Sequence, residues 1–457
     1  MSAYRFMSQK KRVVICGAGI AGVSAAYFLS RSGVQDILLL DERPPLTLTS
    51  DHSTECYRNW WPDPEILALM NSSIDFMEQL ADASANALRM NRRGYLYLTA
   101  DEERVAAVQE EAQRISDLGA GPLRLHSRLS SPYSPAKLEG YGNEPSGADL
   151  LLGNGVIRHY YPYLTDSAVA ALHVRRAGWL SAQQLGMHLL EQARLQGVKF
   201  RSARLVGVET AGGRVSDVVL DAGERLGCEV FVNAAGPYFR NVGALLNLDL
   251  PVLTEVHLKV AFEDHLQVVH RGAPLLVWTD PQYLPWRDDE RAVFESDAGY
   301  SWLTGVFPGG AHTRPEGTGE SASILMLWDY RTQVLDPVFP IPLDDQYPEI
   351  VLRGLSTMLP GLGAYIGRSA RPRLDGGYYV RTRENRPLIG ATRIQGAYLI
   401  GALSGYGIMS ACAAGKLLAA QVTGGALPGY AAAFSLARYD DAAYVSTLDQ
   451  WEQTGEL

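Results

Sequence analysis

The chain has 457 residues, 47% apolar and 20% charged, with 41 Lys and Arg against 50 Asp and Glu for a net charge of −9. That length suggests about two to four structural units, and the composition excludes a disordered chain. Mild acidity without a basic stripe removes the general electrostatic pull toward nucleic acid or anionic membrane.

Residues 13–16 (VVIC) form a short apolar run closed by glycine, the pattern of a strand buried on both faces. Residues 20–31 (IAGVSAAYFLSR) predict a helix of small and apolar residues, capped by Gly33. Residues 37–41 (ILLLD) predict the next buried strand. Together they make a βαβ unit, hence a parallel sheet with a right-handed crossover. Lys10, Lys11 and Arg12 before the apolar run Val13–Leu29 imitate a secretory leader. Three glycines interrupt that run, however, and no small-residue cleavage site follows before Asp41. No other stretch reaches the roughly 20 apolar residues of a membrane span, so the chain reads as soluble and cytoplasmic.

Further along, 64–82 and 102–117 predict amphipathic helices. Residues 119–155, rich in Gly, Pro and Ser, read as an excursion of loops. A helix at 182–196 ends at Gly197. A meander follows at 198–206, 214–220 and 228–233, with turns at Gly212-Gly213 and Asp221–Gly223. Residues 251–337 alternate strand-like runs with turns, carry Trp278, Trp286, Trp302 and Trp328, and suggest an antiparallel sheet in a separate lobe. Residues 397–401 predict a strand and 408–422 a helix of small residues. Cys16, Cys56, Cys228 and Cys412 are widely spaced. With no CxxC pair and no histidine at ligand spacing, they read as free thiols of a reducing compartment, and no metal site is expected.

Three glycine-rich turns carry the chemistry. The first is Gly17-Ala18-Gly19-Ile20-Ala21-Gly22, leaving a strand and opening a helix. Asp41-Glu42-Arg43 closes the next strand, with Asp41 about 20 residues beyond Gly22, the spacing of a carboxylate on a ribose hydroxyl. Gly17 permits the tight turn, Gly19 lets backbone approach a pyrophosphate, and Gly22 lets helix and strand pack closely. The helix N-terminus adds positive potential and free N–H groups. This motif alone does not choose between FAD and NAD; an acidic residue at 41 disfavours NADP. The second turn is Asn233-Ala234-Ala235-Gly236-Pro237, ending a strand. The third is Gly401-Ala402-Leu403-Ser404-Gly405-Tyr406-Gly407-Ile408-Met409, again strand, turn and helix. It offers a second helix N-terminus to an electron-rich ligand.

In this order the segments GAGIAG, DER, VNAAGP and GALSGYGIM resemble the D-amino-acid oxidase superfamily of FAD-dependent oxidoreductases. The resemblance is strongest to the branch of sarcosine oxidase, glycine oxidase and dye-linked proline dehydrogenase. It implies an α/β fold: a discontinuous Rossmann-type FAD-binding domain from 11–90, 160–245 and 365–457, and a second α+β substrate domain, built on an antiparallel sheet, from 91–159 and 246–364. It implies that Gly17, Gly19, Ile20, Ala21, Gly22, Asp41, Glu42, Arg43, Ala234, Ala235, Gly236, Gly405, Tyr406, Gly407, Ile408 and Met409 surround FAD. Ser53 and Thr54 match hydroxyls on the FAD phosphates, and Leu205 lies on the strand passing the adenine. Arg58 matches an arginine that clamps the substrate carboxylate; a surface or FAD-supporting arginine is the alternative. Tyr379, on a strand facing the flavin, points into the pocket or is a core tyrosine. His257 and His312 are pocket candidates, with structural roles the simpler account.

Departures from the family pattern matter too. Gly377 stands where some sarcosine oxidases attach FAD through cysteine, so FAD is expected to be non-covalent, with His52 the alternative attachment point. Met409 replaces a lysine of some sarcosine oxidases. No lysine in 300–315 matches the one that activates oxygen, which leans toward a dehydrogenase. The implied activity is oxidation of the C–N bond of a small amino acid or N-alkyl amino acid, sarcosine- or proline-like, by hydride transfer to flavin N5. The electrons pass on to oxygen, a quinone or a carrier protein. The alternatives are an FAD-dependent 2-hydroxy-acid or glycerol-phosphate dehydrogenase, or an FAD-binding subunit of a larger complex. The oligomeric state is left open.

Overall fold

A computed structural model describes residues 12–368 and 372–448. Lys10 and Lys11 of the leader-like start, residue 11 of the first expected range, and 369–371 and 449–457 of the last lie outside the described residues.

Two sheets dominate. The first has six strands, in the order Leu388–Ala391, Ala397–Gly401, Val230–Asn233, Arg12–Cys16, Asp36–Asp41 and Lys199–Ser202. All neighbours are parallel except the first pair. A sheet of this kind is covered on both faces, which accounts for the near-continuous apolar runs of its central strands. The helices Ile20–Arg31 and Gly407–Thr423 pack closely on it: Ser24 Oγ donates to the Ala411 carbonyl at 2.7 Å. Gly415 lies at that crossing, where a side chain would overlap Ser24 Oγ.

The second sheet has ten strands and holds a core of its own around Trp328, Leu276 and Val260. Its path runs Gln333–Val334, Leu253–Glu263, Ser323–Leu327, Ala311–Pro315, Leu275–Trp278, Tyr95–Thr99, Ala170–Val174, Ala148–Leu152 and Leu123–His126, with Arg373–Arg381 paired to Leu253–Glu263. It is mixed rather than wholly antiparallel: Leu275–Trp278 runs parallel to Tyr95–Thr99, and Leu123–His126 parallel to Ala148–Leu152.

Several expectations change. Residues 119–155 hold two strands of this sheet rather than only loops. The expected meander is split. Lys199–Ser202 and Val230–Asn233 join the six-stranded sheet, while Leu205–Ala211, Arg214–Leu220 and Arg225–Gly227 form a small antiparallel sheet. Residues 251–337 also contain the helix Asp288–Ser296. Ala170–Val174 and Arg373–Arg381, which fall inside the ranges expected for the FAD-binding domain, belong to the ten-stranded sheet. Ala170–Val174 is buried throughout, and such a run looks the same in either sheet. All four cysteines are free. Among the described residues no helix is long and apolar enough to cross a membrane.

Candidate active site

The turn after the first strand is shaped by its glycines. Gly17 has φ +108°, and a Cβ there would overlap the Ala234 carbonyl oxygen; only glycine fits. Its N–H donates to Leu40 O at 2.8 Å. A Cβ on Gly22 would overlap the Gly17 carbonyl oxygen, so helix and turn are in contact. Gly19 caps the helix Ile20–Arg31 without a side-chain hydrogen bond, and the first turn, with Ala21, carries no acidic residue. The Ile20 N–H donates to Ser50 Oγ at 3.0 Å. Ser50 is the hydroxyl that reaches this helix end. Of the two expected ones, Ser53 accepts from the Glu55 N–H and Thr54 lines the cavity described below. The Thr and Ser at 47–50 were the available signal.

Asp41 Oδ2 accepts from the Ala18 N–H at 2.8 Å and Oδ1 from the Arg43 N–H at 2.9 Å, tying the strand end to the glycine turn. Glu42 and Arg43 pair with each other, and the Arg43 guanidinium lies 5.3 Å from the Phe339 ring. Asn233 pins the second turn, accepting from the Ala235 N–H at 3.2 Å and donating to Phe239 O at 2.9 Å. Gly236 there has φ +52°. Leu205, half-buried, pairs with Leu220 in the small sheet.

In the third turn Ala402 and Ser404 hold φ +53° and +50°. Strain of this kind in non-glycine residues collects at functional turns. It leads into the helix beginning at Gly407, whose Ile408 is buried. Tyr406 is buried, donates to the Asn385 carbonyl and packs edge-on against Trp61. Gly405 and Met409 border a cavity of about 60 Å³ between the start of this helix and the ten-stranded sheet.

The opposite wall of that cavity is built from paired strands. Across Leu253–Glu263 and Arg373–Arg381, Glu255 faces Tyr379, His257 faces Gly377 and Lys259 faces Asp375. Tyr379 stacks on His257 with ring centroids 3.8 Å apart and an interplanar angle of 20°. His257 Nδ1 lies 2.8 Å from Asp329 Oδ1. Glu255 takes both arms of Arg381 at 2.7 and 2.8 Å. Burial raises the Glu255 carboxyl, but His257 and Arg381 outweigh it and hold it at about 2. His312 also lines the cavity, bonded through Nδ1 to Gly310 O at 2.8 Å; burial lowers its pKa. His257 and His312 are thus both at the cavity.

Lys259 is a residue the motif search passed over. It lines the cavity, donates to the carbonyls of His52 at 2.7 Å and Ser53 at 3.2 Å, and its pKa is lowered by burial. The alternation Glu255, His257, Lys259 on one strand face was the signal for it. Within 300–315 there is no lysine. His52 borders the cavity too, its Nδ1 2.8 Å from the Asp375 carboxylate.

Arg58 is 3% exposed and sits behind the cavity lining rather than in it. It shares a strand face with Cys56, and its guanidinium is 5.7 Å from the Tyr95 ring; both of those residues line the cavity. Arg58 Nη1 donates to Tyr97 Oη at 2.9 Å, and the guanidinium stacks 4.2 Å from the Trp61 ring. Its Nε is buried without a partner, and no described carboxylate pairs with it. A buried cation in this state is costly unless a ligand brings a counter-charge.

These features fit a flavin dinucleotide. Two glycine positions admit no side chain, the first turn of a helix carries no acidic residue, and a cavity lined by both polar and apolar groups lies at the start of a second helix.

Comparisons agree. A family model described as FAD dependent oxidoreductase matches residues 12–421. The chain is 24% identical over 318 residues to the mitochondrial pyruvate dehydrogenase phosphatase regulatory subunit of Mus musculus, covering 67% of this chain and 30% of that one. It is 23% identical over 325 residues to the mitochondrial dimethylglycine dehydrogenase of Homo sapiens, covering 68% and 34%. The chain spans about a third of the length of these curated relatives. Among solved structures, L-proline dehydrogenase from P. horikoshii superposes with a TM-score of 0.71 at 16% identity, covering 94% of this chain and 98% of that one. Iminodiacetate oxidase from Chelativorans sp. BNC1 gives 0.68 at 20% identity, covering 93% and 98%. At such identities the likeness is one of fold.

Proposed function

The chain belongs to the FAD-dependent oxidoreductase family, and on that basis we propose that it oxidises the C–N bond of a small amino acid or N-alkyl amino acid. The flavin, when bound, supplies the acceptor for a hydride equivalent. In this reading Gly17, Gly19, Ile20, Ala21, Gly22 and Ser50 hold its pyrophosphate, and Asp41, Glu42 and Arg43 its ribose side. Leu205 and Ala234–Gly236 flank the nucleotide, with Ser53 and Thr54 nearby. Gly405, Tyr406, Gly407, Ile408 and Met409 border the ring, where the helix start favours negative charge. The six-stranded sheet is the cofactor domain and the ten-stranded sheet the substrate domain, with Ala170–Val174 and Arg373–Arg381 assigned to the latter. The cytoplasmic location is part of this reading, supported by the free thiols.

One observation carries the substrate class: the buried Arg58 guanidinium has no carboxylate partner among the described residues and lies just behind the cavity wall. It would clamp a substrate carboxylate and orient the C–H bond, while Tyr379 closes the opposite side. Anaerobic bleaching of the flavin by a panel of amino acids, N-methyl amino acids and 2-hydroxy acids tests this. Carboxylated amines should bleach it and hydroxy acids should not. Arg58→Ala should weaken those amines by about 10- to 100-fold, the effect of losing roughly 1.5–3 kcal/mol of charged hydrogen bonding. Bound flavin and the reaction of an amine without a carboxylate should be unchanged. A colourless Arg58→Ala protein would instead make Arg58 a cofactor support.

A second reading has a specific observation behind it. The likeness to a protein named as a regulatory subunit favours an FAD-carrying subunit with no turnover of its own. Rapid bleaching of the isolated chain would exclude it. We place a dye- or quinone-type acceptor ahead of oxygen because 300–315 lacks a lysine; reoxidation in air as fast as by dye would reverse that order.

A further inference from the structure

Among the described residues that line the cavity, Asp329 is the one carboxylate. It leaves the strand Ser323–Leu327 after Trp328, which is buried in the substrate-side core. Its Oδ1 is fixed by His257 Nδ1 at 2.8 Å. Its side chain is 36% accessible, against 7% for His257, and no described residue hydrogen-bonds Oδ2. The imidazole that fixes it is itself held, stacked on Tyr379 and 3.7 Å from Glu255 Oε2. Burial raises the Asp329 carboxyl, but the neighbouring His257 and His312 outweigh it and keep it ionised. His312 stands within electrostatic reach of both Asp329 and Arg58. The cavity therefore has a fixed anion on its wall and a buried cation behind it, with His312 feeling both.

We propose that Asp329 is the anchor for the amine end of the substrate, with His257 as its positioning residue. This rests on the reading of the cavity as an amino-acid site. In the oxidation, the C–H bond next to nitrogen breaks and its electron pair leaves as hydride to the family's flavin, the two-electron oxidant. The nitrogen lone pair becomes the second bond of C=N, so a neutral amine ends with one positive charge on nitrogen. A carboxylate held beside that nitrogen binds the charge more strongly as it develops, which is the differential binding that catalysis requires. The substrate class is then an amine whose nitrogen and carboxylate are matched by Asp329 and Arg58, and isosteres with carbon in place of that nitrogen bind more weakly.

Two redox-inert probes isolate the effect. Glycine betaine and 3,3-dimethylbutanoate share shape and carboxylate and differ by a cationic nitrogen in place of a carbon. Their binding to the oxidised holoenzyme is measured by calorimetry. The wild type should prefer betaine by roughly tenfold, as expected for a charge-assisted contact. Asp329→Asn should abolish that preference and leave the butanoate unchanged. Equal affinity of the two probes for the wild type overturns the proposal without any variant, as does a preference that survives Asp329→Asn. Arg58→Lys reads the other end: it should weaken both probes alike. If it weakens neither, the carboxylate clamp fails while the Asp329 preference still stands or falls on its own ratio.

Discussion

Glu255 shows how far a fixed pair of partners can carry one carboxyl group. Arg381 grips both its oxygens and His257 adds a second favourable neighbour, so its pKa falls to about 2 despite burial. Because the folded value lies below the ordinary carboxylate value of about 4.3, the pair stabilises the fold above that pH. That contribution is lost as pH falls from about 4.3 toward 2. Thermal melts across this window should therefore fall steeply in the wild type. Glu255→Gln should melt lower at neutral pH and vary less through the same window. Identical pH profiles for the two proteins would show that the pair adds nothing to stability. The residue also links the two ends of the site, since Glu255 faces Tyr379 across the strands and approaches the imidazole that fixes Asp329.

At the level of elements, the crossing of the two helices on the six-stranded sheet is the sensitive seam. A Cβ on Gly415 would overlap Ser24 Oγ and lie 2.8 Å from the Ser24 backbone carbon, so a rotamer change cannot relieve it. Gly415→Ala should cost about 1–3 kcal/mol by overpacking and push Gly407–Thr423 away from Ile20–Arg31, the helix proposed to hold the pyrophosphate. Lower melting temperature together with lower flavin occupancy is the expected pair of readings; unchanged occupancy would mean that the seam and the nucleotide site are independent. Elements of this first kind were legible in the sequence. The unit of Arg12–Cys16, Ile20–Arg31 and Asp36–Asp41 is specified by glycines and apolar runs within about 30 residues, a local signal. Leu123–His126 was not legible, because it becomes a strand only by pairing with Ala148–Leu152 across a Gly- and Pro-rich span, and Ala148–Leu152 in turn takes its place from pairing with Ala170–Val174 as well. The strand Ala170–Val174 was not singled out in the sequence, and its apolar residues carry no mark of which sheet it joins. In the site, the glycine positions were readable for the same local reason. Ser50 and Lys259 were not, since their roles depend on Ile20 and on the carbonyls of His52 and Ser53, 30 and more than 200 residues away.

For the whole molecule, the proposed cofactor would join the glycine turns of the six-stranded sheet to a cavity on the ten-stranded one. A ligand that binds only the folded state stabilises it by mass action, about 2.7 kcal/mol at a hundredfold excess over its dissociation constant. If FAD is held without a covalent bond, acid precipitation should leave yellow flavin in the supernatant. The stripped protein should melt lower and recover as FAD is titrated back. Flavin that stays with the pellet would overturn this and point to His52, one of the histidines at the cavity.

The neighbours of the strand Arg12–Cys16 also set a timetable. On one side it pairs with Asp36–Asp41, made almost at once; on the other, Val13 waits for Val230, and that strand in turn waits for Ala397. At about 5–20 residues per second of synthesis, the glycine turn at Gly17 emerges on the order of 10–40 s before the strand that completes it. Throughout that interval an apolar strand edge stands open on the ribosome. A chain stopped between residues 233 and 397 closes that edge but leaves the next one, on Val230–Asn233, open, so early termination should yield aggregated protein rather than a smaller working one.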